Sequence, residues 1–382
     1  MKTLKSGNVG KVVIKSAELL KNVYNENFLL DFGSKIQSVY SSFDTRRFIA
    51  SVMDESWAEL SLKARMRRIS QTLGEYLPSR YETALDILFA INDTCTGLPY
   101  LIFPDFIKIY GQAENHWTLS MKALENFTQQ SSSEFAIRSF ISADPERAMQ
   151  QMTIWAQHPN EHVRRLASEG CRPRLPWGEA LTIFKKKPQP VLSVLELLKA
   201  DPVLYVRKSV ANNLNDIVKD NPELVLETVR RWQGKNTDTD WIIRQGCRTL
   251  IKQANAEAME LFGYTKFTNE SGFITDASLS IARSVIAVGE SCELQYRLNI
   301  RAGAVVHIRL GYGIDFVKAK GQTSRKIFFL SDKIVLGGTH ITGKRKHNWS
   351  DLTTRRHYTG DHRIVLLVNG QEVAHSVIKL VM

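Results

Sequence analysis

The stretch PNEHVRRLA at Pro159–Ala167 recurs as PVLYVRKSVA at Pro202–Ala211, with Arg164 and Arg207 offset by 43 positions. A looser copy, DWIIRQGC, occupies Asp240–Cys247. Each copy follows a segment with apolar residues at helical spacing, and these segments are Pro145–Gln157, Val191–Lys199 and Pro222–Gln233. Two amphipathic helices per repeat at a period of roughly 40 to 47 residues are typical of a HEAT-like solenoid.

A helix pair of this kind buries its apolar face only when a neighbouring pair stacks on it. We therefore expect a helical array whose second helices line a concave face. The recurring arginines have two interpretations, a contact within the repeat or a contact with a phosphate. Further helices are predicted towards the N-terminus, at Lys11–Tyr24, Phe28–Phe43, Phe48–Ser56, Leu60–Leu77 and Tyr81–Thr94.

The pattern changes after Asn269, where short alternating or apolar runs are separated by turn signals such as Gly337-Gly338 and Asn369-Gly370. About seven strands in roughly 110 residues are typical of an immunoglobulin-like sandwich. The sequence thus predicts a mostly α protein, with a HEAT-like helical-repeat domain at 1–268 and an all-β immunoglobulin-like domain at 269–382.

Composition favours a polyanionic partner. The 382 residues carry a formal charge of +12, and a basic protein attracts nucleic acid or an acidic membrane surface. The four cysteines are scattered singly and the histidines show no metal-ligand spacing, so we expect a reduced cytoplasmic protein without a metal or other cofactor. No signal peptide or long apolar run is visible, and no membrane association is expected.

The first repeat breaks its own helical pattern in the segment SEGCRPRLPW, at Ser168–Trp177. Its helix starts at a predicted N-cap, Asn160, and meets a glycine and two prolines at Gly170, Pro173 and Pro176. Beyond that break stand side chains that suit an anionic backbone and a flat cationic base, namely Glu169, Arg172, Arg174 and Trp177.

Two other acids are candidates for chemistry. Glu134 starts a helical run, where the simpler interpretation is an acid that complements the helix dipole. Asp216 follows three asparagines on a repeat helix, and such poor helix formers are explained by a polar concave face.

Basic residues interleaved with aromatic ones mark the β region. Phosphate contact is the commonest physical use of such charge, and the alternative is a solvated charged loop. These residues are Lys318, Lys320, Arg325, Lys326, Lys344, Arg345, Lys346, Arg355 and Arg356.

Three strings together resemble the AlkC branch of the AlkC/AlkD DNA alkylation-repair glycosylases: EFAIR at Glu134–Arg138, VRRLASEGCRPRLPW at Val163–Trp177 and VANNLND at Val210–Asp216. The resemblance covers most of the chain, and some members of that branch carry an immunoglobulin-like C-terminal domain. It implies a bacterial base-excision-repair enzyme that hydrolyses the N-glycosidic bond of cationic alkylated bases, such as 3-methyladenine, 3-methylcytosine and 1-methyladenine. It also implies that the base is not extruded into a pocket.

On this resemblance we expect Glu169, Trp177, Glu134 and Asp216 to line the catalytic site. The AlkD branch uses a Trp-x-x-x-Asp turn, whereas Glu134-x-x-x-Arg138 stands here, so the choice among the three carboxylates stays open. The expected contacts with double-stranded DNA are Arg138, Arg164, Arg165, Arg172, Arg174, Arg207, Asn213, Arg244, Lys318, Lys320, Arg325, Lys344, Arg345, Lys346, Arg355 and Arg356.

Two functions from other classes compete with the enzyme. A non-catalytic nucleic-acid-binding scaffold predicts salt-sensitive DNA binding without base release. A protein-binding HEAT adaptor predicts binding that survives high salt. The acid and indole at Glu169 and Trp177 favour the enzyme, since a clamp on phosphates has no need of them. We expect a monomer whose β domain also contacts the duplex.

Overall fold

The computed structural model describes residues 20–267, 272–352 and 355–382. Their contacts group into two compact units, 20–246 and Cys247–Met382. The second unit thus begins ahead of residue 269, because two short helices belong with the sandwich; the domain boundary expected at 268/269 stays a prediction. Most of the helix predicted at Lys11–Tyr24 lies outside the described residues.

The first unit is helical, as the sequence predicts. Its helices are α1 Glu26–Val39, α2 Thr45–Val52, α3 Leu62–Tyr76, α4 Tyr81–Ile91, α5 Ile102–Tyr110, α6 Trp117–Phe127, α7 Ile137–Ala143, α8 Pro145–Trp155, α9 Glu161–Gly170, α10 Thr182–Lys186, α11 Gln189–Leu198, α12 Leu204–Ile217, α13 Pro222–Trp232 and α14 Thr237–Gly246. Asn160 caps α9 as predicted, its side chain accepting from the His162 amide at 2.8 Å. Among the described helices, none is long and apolar enough to cross a membrane.

The repeats are the helix pairs α8/α9, α11/α12 and α13/α14. The second helices pack side by side, α9 on α12 and α12 on α14, while α8 packs on α11. Fully buried side chains such as Val163, Leu166, Val206 and Val210 lie at the spacing that predicted them. Each helix pair therefore buries the apolar face of the pair that stacks on it.

The recurring arginines form hydrogen bonds inside the stack of repeats, each to two backbone carbonyls of the turn before its own helix. Arg164 donates to the His158 and Pro159 carbonyls at 3.0 and 2.7 Å, and Arg207 donates to those of Asp201 and Pro202 at the same two distances.

Ion pairs then link successive repeats through the same two arginines. Arg164 bonds Asp201 at 2.6 Å, and Arg207 lies 3.1 Å from Asp238. Both guanidiniums are mostly buried, so the structure shows the contact within the repeat for Arg164 and Arg207, and their contact with phosphate stays a prediction.

The second unit contains two short helices and eight described strands, against about seven predicted. They are α15 Arg248–Lys252, α16 Ala256–Leu261, β1 Ile274–Ile281, β2 Val285–Ala287, β3 Ser291–Ile300, β4 Val306–Val317, β5 Thr323–Val335, β6 His340–Asn348, β7 Gly360–Val368 and β8 Gln371–Val381. One sheet has the order β1-β3-β6 and the other β2-β8-β7-β4-β5. All pairs are antiparallel except β2 with β8.

Side chains from both sheets meet in the sandwich core around Tyr312, Phe316 and Trp349. The predicted Asn369-Gly370 turn is present with φ of 46° and 86°. The basic run Lys344-Arg345-Lys346 is not a loop, as its alternative interpretation had it, because it lies inside β6 and pairs with β3.

Three histidines are buried in this core, His347, His357 and His362. His347 packs edge-on against Trp349, and its Nδ1 lies 3.0 Å from the Tyr312 hydroxyl. Burial, together with the charge of Arg355, lowers the pKa of His347 to about 4 and also lowers that of His357. These side chains are therefore neutral in the folded protein at neutral pH.

The sandwich should lose stability as the pH falls from about 6.5 towards 4, since the unfolded chain takes up protons there that the folded core rejects. In a His347→Gln variant this loss should be smaller than in the wild type. The measurement is hydrogen–deuterium exchange of β6 and β7 peptides in the full chain at about pH 7.5 and pH 5, corrected for the intrinsic exchange rate. His375→Gln, at an exposed position of β8, is the matched control; equal pH dependence in both variants would contradict the prediction.

Candidate active site in the helical unit

A cavity of about 610 Å³ lies in the helical unit and gathers three of the four predicted catalytic residues, Glu134, Glu169 and Trp177. They come from three separate places: the turn before α7, the end of α9 and the loop after α9. The other lining residues include Tyr24, Leu62, Lys63, Met66, Leu98, Leu101, Phe135, His162, Leu175, Pro176 and Tyr205. The cavity therefore combines carboxylates with aromatic and apolar walls.

Glu169 is held by hydrogen bonds on both carboxylate oxygens. The Ser209 hydroxyl donates to Oε2 at 2.6 Å, and Arg172 Nη1 donates to Oε1 at 2.6 Å. Arg165 adds an ion pair at 3.7 Å. Only 6% of Glu169 is exposed, so the carboxylate has one orientation and little contact with solvent.

Glu134 lies on the other side of Arg165. The Ser132 hydroxyl and Arg165 Nη1 both donate to its Oε2. The Arg165 guanidinium also lies 4.8 Å from the ring centroid of Tyr205. Burial lowers the pKa of Arg165, but the carboxylates Glu134 and Glu169 outweigh it and the net shift is upward. Arg165, predicted to bind DNA, is thus a cation shared by two carboxylates.

Asp216 lies outside the lining of the cavity. It is 3% exposed and accepts from Arg172 Nε at 2.9 Å and from Lys219 at 3.1 Å. The prediction that Asp216 lines the site is corrected: it reaches Glu169 only through Arg172. Burial lowers the pKa of Arg172, whereas Glu169 and Asp216 raise it with a net rise.

The polar residues of α12 face another helix instead of an open surface. Asn213 is fully buried and donates to the Ser168 carbonyl at 2.8 Å, while Asn215 is 5% exposed. Asn213 thus lies in the interface between α9 and α12. Because Asn213 and Arg172 are buried, the predictions that they contact DNA are corrected.

Arg138 stabilises the backbone where the chain leaves α9. It is 1% exposed and donates to the carbonyls of Gly170 and Arg172 at 2.8 Å each and to that of Glu179 at 2.7 Å. Burial lowers its pKa to about 10. Carbonyls that the broken helix leaves without helical partners are thus bound by one guanidinium, and the predicted phosphate contact of Arg138 is corrected.

Trp177 stands on the loop that Arg138 holds. Its φ is 63°, a conformation rare for residues other than glycine, and 64% of the residue is exposed. The Gly178 amide donates to the Leu175 carbonyl at 3.0 Å, which closes a tight turn around the tryptophan. The indole is therefore presented at the edge of the cavity.

Some of the other residues predicted to contact DNA interact with side chains of the protein itself, and others are exposed. Arg174 pairs with Asp220 at 2.6 Å, Arg325 pairs with Asp315 at 2.7 Å and also with Glu372, and Arg355 lies 4.5 Å from the Phe316 ring centroid. Arg325 and Arg355 are thereby engaged within the sandwich, and their contact with phosphate stays a prediction. Arg244 lies on α14. Exposed cations remain at Lys318, Lys320, Lys344, Arg345, Lys346 and Arg356.

Several cavity residues were not among the predicted site residues; one of them, His162, was interpreted from the sequence as a surface group at a helix start. His162 and Tyr205 occupy equivalent positions of the repeat, 43 residues apart, and the centroids of their rings lie 5.6 Å from each other. The repeat register could have identified both. Phe135 lies in the EFAIR string but was not singled out, and Lys63 gave no signal because it comes from α3, far outside the repeats. Within the described residues no cluster of three or more metal-ligating side chains occurs.

The comparisons with known proteins agree with this architecture. A family model described as the C-terminal Ig-like domain of the uncharacterised protein YhaZ matches residues 275–382, which confirms the predicted fold of the β domain. The chain is 43% identical over 352 residues to the uncharacterized protein YhaZ of Bacillus subtilis (strain 168), covering 92% of this chain and 96% of YhaZ.

A solved structure is similar over almost the whole chain. It is the Pseudomonas fluorescens alkylpurine DNA glycosylase AlkC bound to DNA containing an abasic site analog, with a TM-score of 0.88, 38% identity, and coverage of 95% of this chain and 99% of AlkC. Similarity of this extent confirms the resemblance seen in the sequence, and the chain belongs to the family that includes AlkC and YhaZ.

Proposed function

We propose that this protein is a DNA glycosylase that hydrolyses the N-glycosidic bond of cationic N-alkylated bases, such as 3-methyladenine, 3-methylcytosine and 1-methyladenine. The observation that carries the proposal is the cavity in which two fixed carboxylates, Glu134 and Glu169, face the same space as the Trp177 indole. The partner is double-stranded DNA. We propose that the protein works in the cytoplasm as a monomer without a cofactor.

The reaction requires little more than a water molecule and stabilisation of the positive charge on the sugar. A cationic base is already a good leaving group, and positive charge develops on the deoxyribose as the bond to the base lengthens. Preorganised carboxylates in a site of low dielectric stabilise that charge without reorganising during the reaction. The water oxygen bonds to C1′, the base leaves with the electron pair of the glycosidic bond, and the water's proton is released.

Glu169 is the better candidate for the principal carboxylate. Ser209 and Arg172 fix its two oxygens, and it is the more buried of the two acids. Glu134 shares Arg165 with it and completes the negative wall. Asp216 supports Glu169 through Arg172, from outside the cavity.

Trp177 provides the surface for the cationic base. One face of the Tyr205 ring is already occupied by the Arg165 guanidinium, whereas the Trp177 indole is exposed. A tryptophan face attracts cations most strongly among the aromatic side chains. Its place at the edge of the cavity supports contact with a base that stays in the duplex, although enzymes that modify bases commonly extrude them.

Glu169→Gln should reduce the rate of 3-methyladenine release from methylated DNA about 10²- to 10³-fold under single-turnover conditions, since it removes a preorganised charge. Glu134→Gln should reduce the rate less, and Asp216→Asn should act by weakening the hold of Arg172 on Glu169. The measurement is chromatographic detection of the released bases.

The control for these variants is Glu227→Gln, which removes an exposed carboxylate from α13. Wild-type rates in all three site variants would refute the site. DNA binding without any base release from the wild-type protein would instead support the non-catalytic scaffold.

Exposed lysines of the sandwich are proposed to contact the phosphate backbone. Lys318 and Lys320 lie in the turn between β4 and β5, and neither forms an ion pair with a carboxylate among the described residues. The double variant Lys318→Gln/Lys320→Gln should weaken DNA binding and lower the slope of log affinity against log salt by up to about 2, because up to two phosphate contacts are lost.

Fluorescence anisotropy at several salt concentrations measures this slope. Lys333→Gln/Lys379→Gln removes the same charge from exposed positions of β5 and β8 and serves as the control. An equal change of slope in both double variants would show that only net charge matters and would contradict a specific contact.

A further inference from the structure

Cations from three helices hold the loop that carries Trp177. Arg138 of α7 binds the carbonyl of Gly170 at the end of α9 and two loop carbonyls, those of Arg172 and Glu179. Lys108 of α5 pairs with the Glu179 carboxylate at 2.7 Å. Lys63, at the start of α3, donates from Nζ to the carbonyl oxygen of Trp177 itself. Of these three cations, Lys63 therefore binds the tryptophan's own backbone directly.

Lys63 is itself held in one place. Its Nζ lies 4.7 Å from the ring centroid of Phe135, and Lys63, Phe135 and Trp177 all line the cavity. Burial, followed by the nearby charge of Lys108, lowers its pKa. An ammonium placed between an aromatic face and a carbonyl oxygen has exchanged part of its hydration for these two contacts.

The backbone of Trp177 needs such support. A non-glycine residue with positive φ persists only where its surroundings hold it there, at a cost of order 1–3 kcal/mol. The indole is largely exposed and cannot hold the conformation by packing. The peptide that follows Trp177 is fixed by the Gly178 amide on one side and by Lys63 on the other.

We propose that Lys63 is a positioning residue that holds Trp177 in the orientation required for recognition of the alkylated base. The inference rests on the proposed glycosylase function and deepens it, because it gives a role in base recognition to a residue of α3, which lies outside the repeats. Lys63 does not act on the reacting atoms. It fixes the carbonyl of Trp177 and, through the positive-φ backbone, the direction of the indole.

The first test follows the loop and requires no catalysis. Hydrogen–deuterium exchange of the full-length protein reports on residues 173–181, where the Gly178 and Leu181 amides bond the Leu175 and Pro173 carbonyls. Lys63→Met should speed exchange in this segment, and Lys63→Arg should restore part of the protection. Lys122→Met, at an exposed position of α6, removes the same charge and should leave the segment unchanged. Unchanged exchange in Lys63→Met would overturn the proposal.

The second test is a double-mutant cycle with Trp177. Lys63→Met alone should slow single-turnover base release about tenfold to a hundredfold, the range expected for a reacting group displaced by about 1 Å. In a Trp177→Ala background the same substitution should change the rate by less than about twofold, because its effect passes through the missing indole.

Independent losses that multiply in the double variant would overturn the proposal and indicate that Lys63 contacts DNA directly. So would a wild-type rate in Lys63→Met. The absence of base release by the wild-type protein would refute the proposed function alone, since the exchange experiment would still decide whether Lys63 holds the loop.

Discussion

The site depends on the hydrogen bonds that the buried guanidinium of Arg138 donates to backbone carbonyls. A helix that stops inside a protein leaves backbone carbonyls without partners, and each costs free energy unless a donor reaches it. Arg138 supplies donors to three carbonyls, those of Gly170, Arg172 and Glu179. The chain can therefore leave α9 early and return as a loop, with Glu169 on the helix end and Trp177 on the loop.

From this anchor the charges extend in a chain that alternates in sign. Asp216 binds Arg172, Arg172 binds Glu169, and Arg165 lies between Glu169 and Glu134. Each cation orients a carboxylate and is oriented by another, so no side chain depends on solvent for its position. The helices that carry them are fixed by the repeat contacts of Arg164 and Arg207, which tie the turns of successive repeats together.

The repeats and the sandwich could be predicted because buried residues recur at regular spacing in the sequence. Apolar spacing predicted α8, α9 and α11 to α14, and alternation predicted most strands. Glu169 and Trp177 were predicted because they stand where that pattern breaks, and Glu134 was added by the family resemblance. The roles of Arg138, Arg172 and Asn213 could not be read in the same way, since a charged or polar residue on a repeat helix has the same sequence signature whether it faces a phosphate or a buried carbonyl. Lys63 joins the cavity only through tertiary packing, which leaves no mark near residue 63.

The ion-pair chain adds little to the free energy of unfolding, but it fixes the orientation of the carboxylates. Burying charged groups costs desolvation that their mutual attraction does little more than offset, and apolar side chains of similar volume would stabilise the helices at least as well. What the chain provides instead is a negative wall whose direction is set before any ligand arrives. Arg165 and Arg172 each bridge two carboxylates, so Glu169 is oriented by two cations that are themselves fixed by Glu134 and Asp216. Glu134 and Asp216 bind the two arginines that Glu169 also binds, so the three carboxylates form one ion-pair network although only two of them line the cavity.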